Sequence, residues 1–486
     1  MTEPGNHSIT AAAAGPILYA RGSTDRAIHL TALAVGDETW QPPPLVPDGG
    51  ALVPPTELAR DFGWIVWRYE FTLPRQTGGA SYALDDRTWR VQTDPSPDAL
   101  RLAYTACNGQ EDDDLFDPHP ARNALWRQLL ADHRRAPFAL LLQGGDQLYA
   151  DNVWACHNEL RRWAHESDDT RLTRALSDEA RDAVRRFYWS AYVTLWAQPD
   201  LAALLAEVPS LMMWDDHDIF DGWGSHAEPY QACPVWRTVH DAAREAFAIF
   251  QLGAAPDQPP EMCAGTVGRS FSWTYRFGDI AVVAPDLRSE RTPQRVMGNG
   301  GWAAVDGWRR ELSDCSHVFV MSSVPALGPR LSWAERILHL IPGAQQYEDD
   351  LRDQWQSRAH RGEWRRFLQA CLDLMDAGPR VTLLSGEIHL ATRGRMQGAG
   401  DAVHQLVASG IAHPPPSVLY ARGLGALAWL GESPLPGHPI GLRPLPGRRH
   451  IYTADRNYLV LERGNPGWRA WWVTEHDGPT PPLDIG

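Results

Sequence analysis

Long apolar runs are missing from this chain of 486 residues. None approaches the ~18 consecutive apolar residues of a membrane-crossing helix, so no membrane span is expected. The opening Met1-Thr-Glu-Pro-Gly-Asn-His-Ser-Ile-Thr also lacks the basic stretch and long apolar stretch of an export signal, which predicts a cytoplasmic protein. Positive charge is short: 45 Lys+Arg against 60 Asp+Glu leave −15, a field that repels nucleic acid and anionic lipid unless a local basic groove overrides it. Generic nucleic-acid binding is therefore not expected. Cysteine is sparse, with six residues far apart and no CxxC pair, which excludes a disulfide scaffold and a zinc knuckle. No internal repeat is present. What remains is ordinary globular composition, 43% hydrophobic and 22% charged, enough to bury a sizeable core. The 22 tryptophans are expected to line domain contacts or a groove rather than a deep interior.

Between Gly15 and Thr93, short β-prone stretches (Ile28 to Val35, Trp64 to Thr72, Trp89 to Thr93) are broken by Pro and Gly clusters, the pattern of a small antiparallel sandwich. The linker Asp94-Pro-Ser-Pro-Asp98 sets a boundary, predicting domains at 1–98 and 99–486. Beyond it, apolar strands alternate with helical patterns, which predicts a layered α/β domain. Strands are expected near Leu100, Phe138, Val208, Ile280, His317 and Val381, with closing strands at Asn457 to Leu461 and Arg469 to Val473. Helices are expected at Arg122 to Arg134, Ser177 to Glu207, Val235 to Gln251, Ala304 to Leu312 and Gln356 to Met375.

Chemistry gathers where those strands end, the place where sites assemble in layered α/β folds. The bursts are Cys107-Asn108, Gly145-Asp146-Gln-Leu-Tyr149, Asp215-Asp216-His217-Asp218 and Gly386-Glu387-Ile388-His389. A thiolate from Cys107 and a phenolate from Tyr149 around Asp146 favour a hard, highly charged iron over magnesium. Three carboxylates and an imidazole within four residues repel one another unless a cation neutralises them; Asp216 is then a ligand, with His217 held by Asp218 as general acid or phosphate donor. Glu387 and His389, two apart on an extended strand, point the same way towards one or two ions. Asp286-Leu-Arg288, also after a strand, offers a guanidinium to clamp phosphate oxygens. Six further histidines, His119, His157, His240, His360, His404 and His413, are assigned no site role, and the remaining cysteines are expected to be free thiols.

Taken as a set, from Leu100 to His413, these motifs resemble the PhoD-like (alkaline phosphatase D) branch of the calcineurin-like metallophosphoesterases. The Gly145-Asp146-Gln-Leu-Tyr149-Ala-Asp151 stretch also resembles the purple acid phosphatase loop whose tyrosine binds ferric iron. The resemblance implies an α/β fold with a four-layer αββα metallophosphoesterase domain behind an N-terminal antiparallel β-sandwich domain. It implies hydrolysis of phosphate monoesters or diesters by a metal-bridging hydroxide, with Cys107, Asp146 and Tyr149 as iron ligands and Asp216, Glu387 and His389 completing the cluster. Asn108, His217 and Arg288 become the substrate-binding residues, with His217, Asp218 and Arg288 catalytic. The general superfamily has Asn where this chain has Asp216, a Gly-His-x-His motif where this chain has Gly386-Glu387-Ile388-His389, and a further histidine before that motif where this chain runs into Ser322-Ser323. More carboxylate and less imidazole favour calcium beside the ferric iron (Fe3+), ahead of manganese, magnesium or zinc. A small phosphate ester is the expected partner. The competing reading is a non-catalytic metal-binding relative serving as a protein- or glycan-binding module; a two-metal amidohydrolase ranks below both, because its usual His-x-His strand motif is missing.

Overall fold

Runs such as Leu140–Gly144 and Ile280–Ala284 have no polar face and are buried along their whole length, so each must be covered on both sides. The computed structural model describes residues 12–94, 96, 100–111, 121–263, 269–328, 353–386, 388–429, 431–464 and 467–486. Two large mixed sheets supply that cover. In the first, Arg101–Thr105, Leu140–Gly144, Ser210–Met213 and Ala14–Ser23 run parallel and adjacent. In the second, Ile280–Ala284, His317–Met321, Arg380–Ser385 and Ala402–Val407 do the same.

Alternation along His317–Met321 shows how the second sheet is sandwiched. Phe319 and Met321 join the core shared with the first sheet, whereas Val318 and Val320 join a core with Trp302, Trp308, Trp364 and Phe367 from the helices Asn299–Glu311 and Arg361–Asp376. Indoles tie the sheets together: Trp273 Nε1 donates to the Met212 carbonyl at 2.9 Å and Trp472 Nε1 to that of Val407 at 2.8 Å. Both tryptophans are fully buried, deeper than expected for groove-lining rings, because a carbonyl of the facing sheet satisfies the indole N–H.

Two expectations are corrected. The strands before residue 98 do not all form a separate sandwich: Ala14–Ser23 pairs in parallel with Ser210–Met213 through Tyr19 and Ser210, and Ala27–Asp37, Trp64–Pro74 and Thr56–Asp61 extend the same sheet. Three short strands, Val46–Pro47, Ala80–Leu84 and Arg87–Val91, form a sheet of their own. The single helix expected from Ser177 to Glu207 is two, Asp178–Trp196 and Pro199–Glu207, because Pro199 cannot donate within a helix but suits a first turn. The other helices and the strands expected near Leu100, Phe138, Val208, Ile280, His317 and Val381 are present within about five residues of their expected places, whereas the parallel strands Ala14–Ser23 and Ala402–Val407 are additional to those expected.

Candidate metal centre

Three of the four parallel strands of the first sheet end in a motif. Cys107 and Asn108 follow Arg101–Thr105, Asp146 and Tyr149 follow Leu140–Gly144, and Asp215 to Asp218 follow Ser210–Met213. From the second sheet come Arg288 after Ile280–Ala284, Ser323 after His317–Met321, His389 after Arg380–Ser385 and His413 after Ala402–Val407. The two rims meet closely. Gly145, at a φ of +107°, leaves no room for a side chain, since a Cβ there would sit 2.8 Å from Asp215 Cβ and 3.1 Å from Ser323 Cβ. A Cβ on Gly386 would sit 2.3 Å from that of Ala106. Three of the proposed donors, Cys107, Asp146 and His389, hold left-handed backbone at φ of +53°, +55° and +52°, a conformation that non-glycine residues keep only when their surroundings impose it.

The side chains converge. Cys107 Sγ donates to Asp146 Oδ2 at 3.5 Å, and donor oxygens of Asp146, Asp215 and Asp216 lie within 4.8 Å of one another. Glu111, His389 and His413 form a second group at the same spacing, with the two imidazole rings stacked 3.4 Å apart. The groups adjoin: Tyr149 stacks on His217 at 4.3 Å and lies 5.6 Å from His413, and His217 Nε2 is 3.8 Å from Glu111. Glu387 lies outside the described residues.

Electrostatics make the arrangement costly as it stands. Burial, then the neighbouring Asp215 and Asp216, pushes the Asp146 carboxyl well above its usual range. Asp215 rises to about 6 through burial even though Arg288 pulls it down. Burial lowers His389 well below an ordinary imidazole, helped by His413 and His217, so it stands neutral with a lone pair to give. Asp146 Oδ1, Tyr149 Oη, Asp215 Oδ2 and His389 Nδ1 are buried with no hydrogen-bond partner among the described residues. Four unpartnered donor atoms of oxygen and imidazole type, beside a thiol, fit a cation and fit little else.

A family model described as PhoD related phosphatase matches residues 120–347. Over 96% of this chain and 93% of the other, the fold superposes on the solved structure of PhoD with a TM-score of 0.55 and 11% sequence identity. The fold is that of PhoD. An uncharacterised protein of Saccharomyces cerevisiae is 24% identical over 407 residues, which is 70% of this chain and 58% of the yeast protein. The chain thus spans 58% of the length of the curated relative it matches. A solved dimetal phosphatase from Danio rerio aligns over 80% of this chain and 99% of its own, with 11% identity and a TM-score of 0.31.

Within the site, three side chains stand otherwise than expected. Arg288 has no N–H turned to a substrate: its side chain is fully buried, and it donates to Asp215, to Asp216 at 3.3 Å, to both Asp353 oxygens at 2.7 and 2.6 Å, and to the Trp223 carbonyl at 3.1 Å. Asn108 is likewise committed, its amide donating to the Gln147 carbonyl and accepting from Trp126 Nε1 at 2.7 Å. Asp218 does not hold His217. Its carboxylate accepts from the backbone N–H of Asp146 (3.0 Å), Leu148 (3.0 Å) and Asp215 (2.9 Å) and from Gln251 (2.7 Å), thereby clamping two motif loops together. Asp151 takes the expected place beside His217, 2.9 Å from Nδ1. Burial opposes charge on His217, but Asp216 and Asp151 outweigh it and hold the imidazole protonated well above its ordinary value.

Sequence reasoning missed Asp151, Asp215, His413, Glu111 and Asp353. Asp151 lies in the Asp146 loop and His413 follows a strand, so strand-end position could have flagged both. Asp353 sits in a stretch with no pattern at all.

Proposed function

We propose that the protein is a metal-dependent hydrolase of phosphate esters, monoesters or diesters, of the metallophosphoesterase type. The observation that carries this is the convergence of Cys107, Asp146, Tyr149, Asp215, Asp216, His389 and His413 at one rim, with buried donor atoms left unpartnered. Cys107, Asp146 and Tyr149 would hold ferric iron, with Asp216, Glu387 and His389 completing a second site for calcium or another divalent ion. Asp215 and His413 join them as donors. When bound, such ions supply Lewis acidity and a hydroxide nucleophile at neutral pH. The chain's own residues do the rest. His217, protonated and oriented by Asp151, donates a proton to the leaving oxygen of the ester. Arg288 and Asp218 position Asp215, Asp216 and Asp146 rather than touching substrate. Two sheets facing each other with helices outside support reading the fold as αββα, and the substrate as a small phosphate ester admitted at the strand ends.

The test is purification with iron plus calcium or manganese, followed by assays on aryl phosphate monoesters and diesters. Turnover that disappears in His217→Ala while metal content stays constant is the expected result. Absence of turnover with every metal combination defeats the proposal, and metal retained without turnover points to the non-catalytic binding alternative.

A further inference from the structure

The helix Val418–Ala428 packs its Ala421 and Ala428 face into a small cluster with Leu390, Leu442 and Tyr452, so one side of it is satisfied. Its other side is not. Leu419 is 81% exposed and Trp429, at its end, 82%, with Val418 and Tyr420 also in solvent. Two large apolar side chains standing almost wholly in water on one short helix are unusual for a surface without a partner. The helix carries one charge, Arg422.

Charge around the helix runs against the rest of the molecule. From residue 402 to residue 454, between Asp401 and Asp455, the chain has four arginines, Arg422, Arg443, Arg448 and Arg449, and one acidic residue, Glu432; Arg448 is paired with Asp477, which leaves a balance of +2 (3 − 1) in a chain of −15. Arg422, Arg449 and His450 rim a cavity of about 190 Å³ walled by Val418, Ala421 and Tyr452. An apolar helix face ending in tryptophan, bordered by guanidinium groups that bind phosphate oxygens in pairs, matches the boundary between headgroups and acyl chains.

We propose that Val418–Ala428 is an interfacial helix that docks the protein on an anionic phospholipid surface. Leu419 and Trp429 enter the acyl boundary, and Arg422 and Arg449 face lipid phosphates. This local basic patch overrides the repulsion that the net charge of the chain creates. No helix of the described residues is long and apolar enough to cross a membrane, so the attachment lies in the plane of the surface. The same cluster contains Leu390, which follows His389 directly, so docking brings the surface to the edge of the candidate metal centre.

The experiment is flotation of the full chain with phosphatidylcholine vesicles and with phosphatidylcholine vesicles containing phosphatidylserine, metal-loaded and without regard to activity. The protein is expected to float with the anionic vesicles and to be released by salt. Leu419→Ser with Trp429→Ser should lower partition about tenfold or more, and Arg422→Glu with Arg449→Glu should abolish the preference for phosphatidylserine. Both pairs sit at the surface, so an unchanged melting temperature confirms that folding is intact. Failure of the native protein to float with anionic vesicles overturns the proposal. So does equal flotation by the Leu419/Trp429 variant, or a protein dimer in light scattering that this variant dissolves while lipid binding is nil.

Discussion

Replacing Arg288 by methionine separates a positioning role from a substrate contact. Removing the guanidinium strands Asp215, Asp216 and Asp353, each at ion-pair distance from it and each buried. Breaking a buried pair by deleting one partner costs about 3 to 5 kcal/mol, because the remaining charge is left without compensation. Arg291, whose Nε is 3.2 Å from Asp353, relieves only that carboxylate. The loss therefore falls on Asp215 and Asp216, two of the proposed donors. At about 2 cal/mol/K of unfolding entropy per residue, a cost of that size lowers the melting temperature of this chain by roughly 3 to 5 °C. Differential scanning calorimetry reads the shift, and elemental analysis on the same sample reads a parallel loss of metal. Arg288→Lys should recover part of both. A variant with native melting temperature and native metal content, changed only in KM for a phosphate ester, would refute the positioning role and restore Arg288 as a phosphate clamp.

Asp151→Asn should reduce kcat by weakening the orientation and charge of His217, while His217→Ala costs about 10²- to 10⁴-fold; stopped assays at saturating substrate with unchanged metal content check both. His413→Ala should weaken binding of the second metal by about a hundredfold or more in competition with a chelator, comparable to His389→Ala, and an unchanged affinity would remove His413 from the donor set. Stability should also depend on pH through His317, which burial, aided by His404, pushes down to about 3 while its Nε2 sits 2.9 Å from the Thr382 hydroxyl. The unfolded chain binds that proton near pH ~6.5, so the contribution of His317 is whole above this value and drains away as pH falls towards 3. By pH 5 the loss is about 2 kcal/mol, readable as a lower urea midpoint that His317→Gln makes less pH-dependent.

Much of the fold was legible because alternating apolar strands and amphipathic helices carry their period in the sequence. The strand-end motifs were legible for the same reason: a burst of carboxylates or a Gly-Asp step directly after a buried run has one place to go in such a fold. The N-terminal strands misled, because their pairing with Ser210–Met213 is a long-range choice that period-two alternation cannot express. Roles misled more than positions did. A charged residue such as Arg288 or Asp218 shows its type in the sequence, but what it faces is fixed by elements far along the chain, here Asp353 for the guanidinium and the Leu148 amide for the carboxylate. His413 was passed over because it stands alone, and its stacking on His389 exists only once two adjacent parallel strands have ended side by side.

Cations at the rim where the two sheets meet are what the proposed hydrolysis requires, and elemental analysis of the purified protein by mass spectrometry measures them directly. Native protein should retain close to two metal equivalents after exhaustive dialysis, iron among them with a visible absorption band from Cys107 or Tyr149, and Asp146→Ala should lose both. Native protein that stays folded with no bound metal after exposure to iron, calcium and manganese would contradict the proposed hydrolysis.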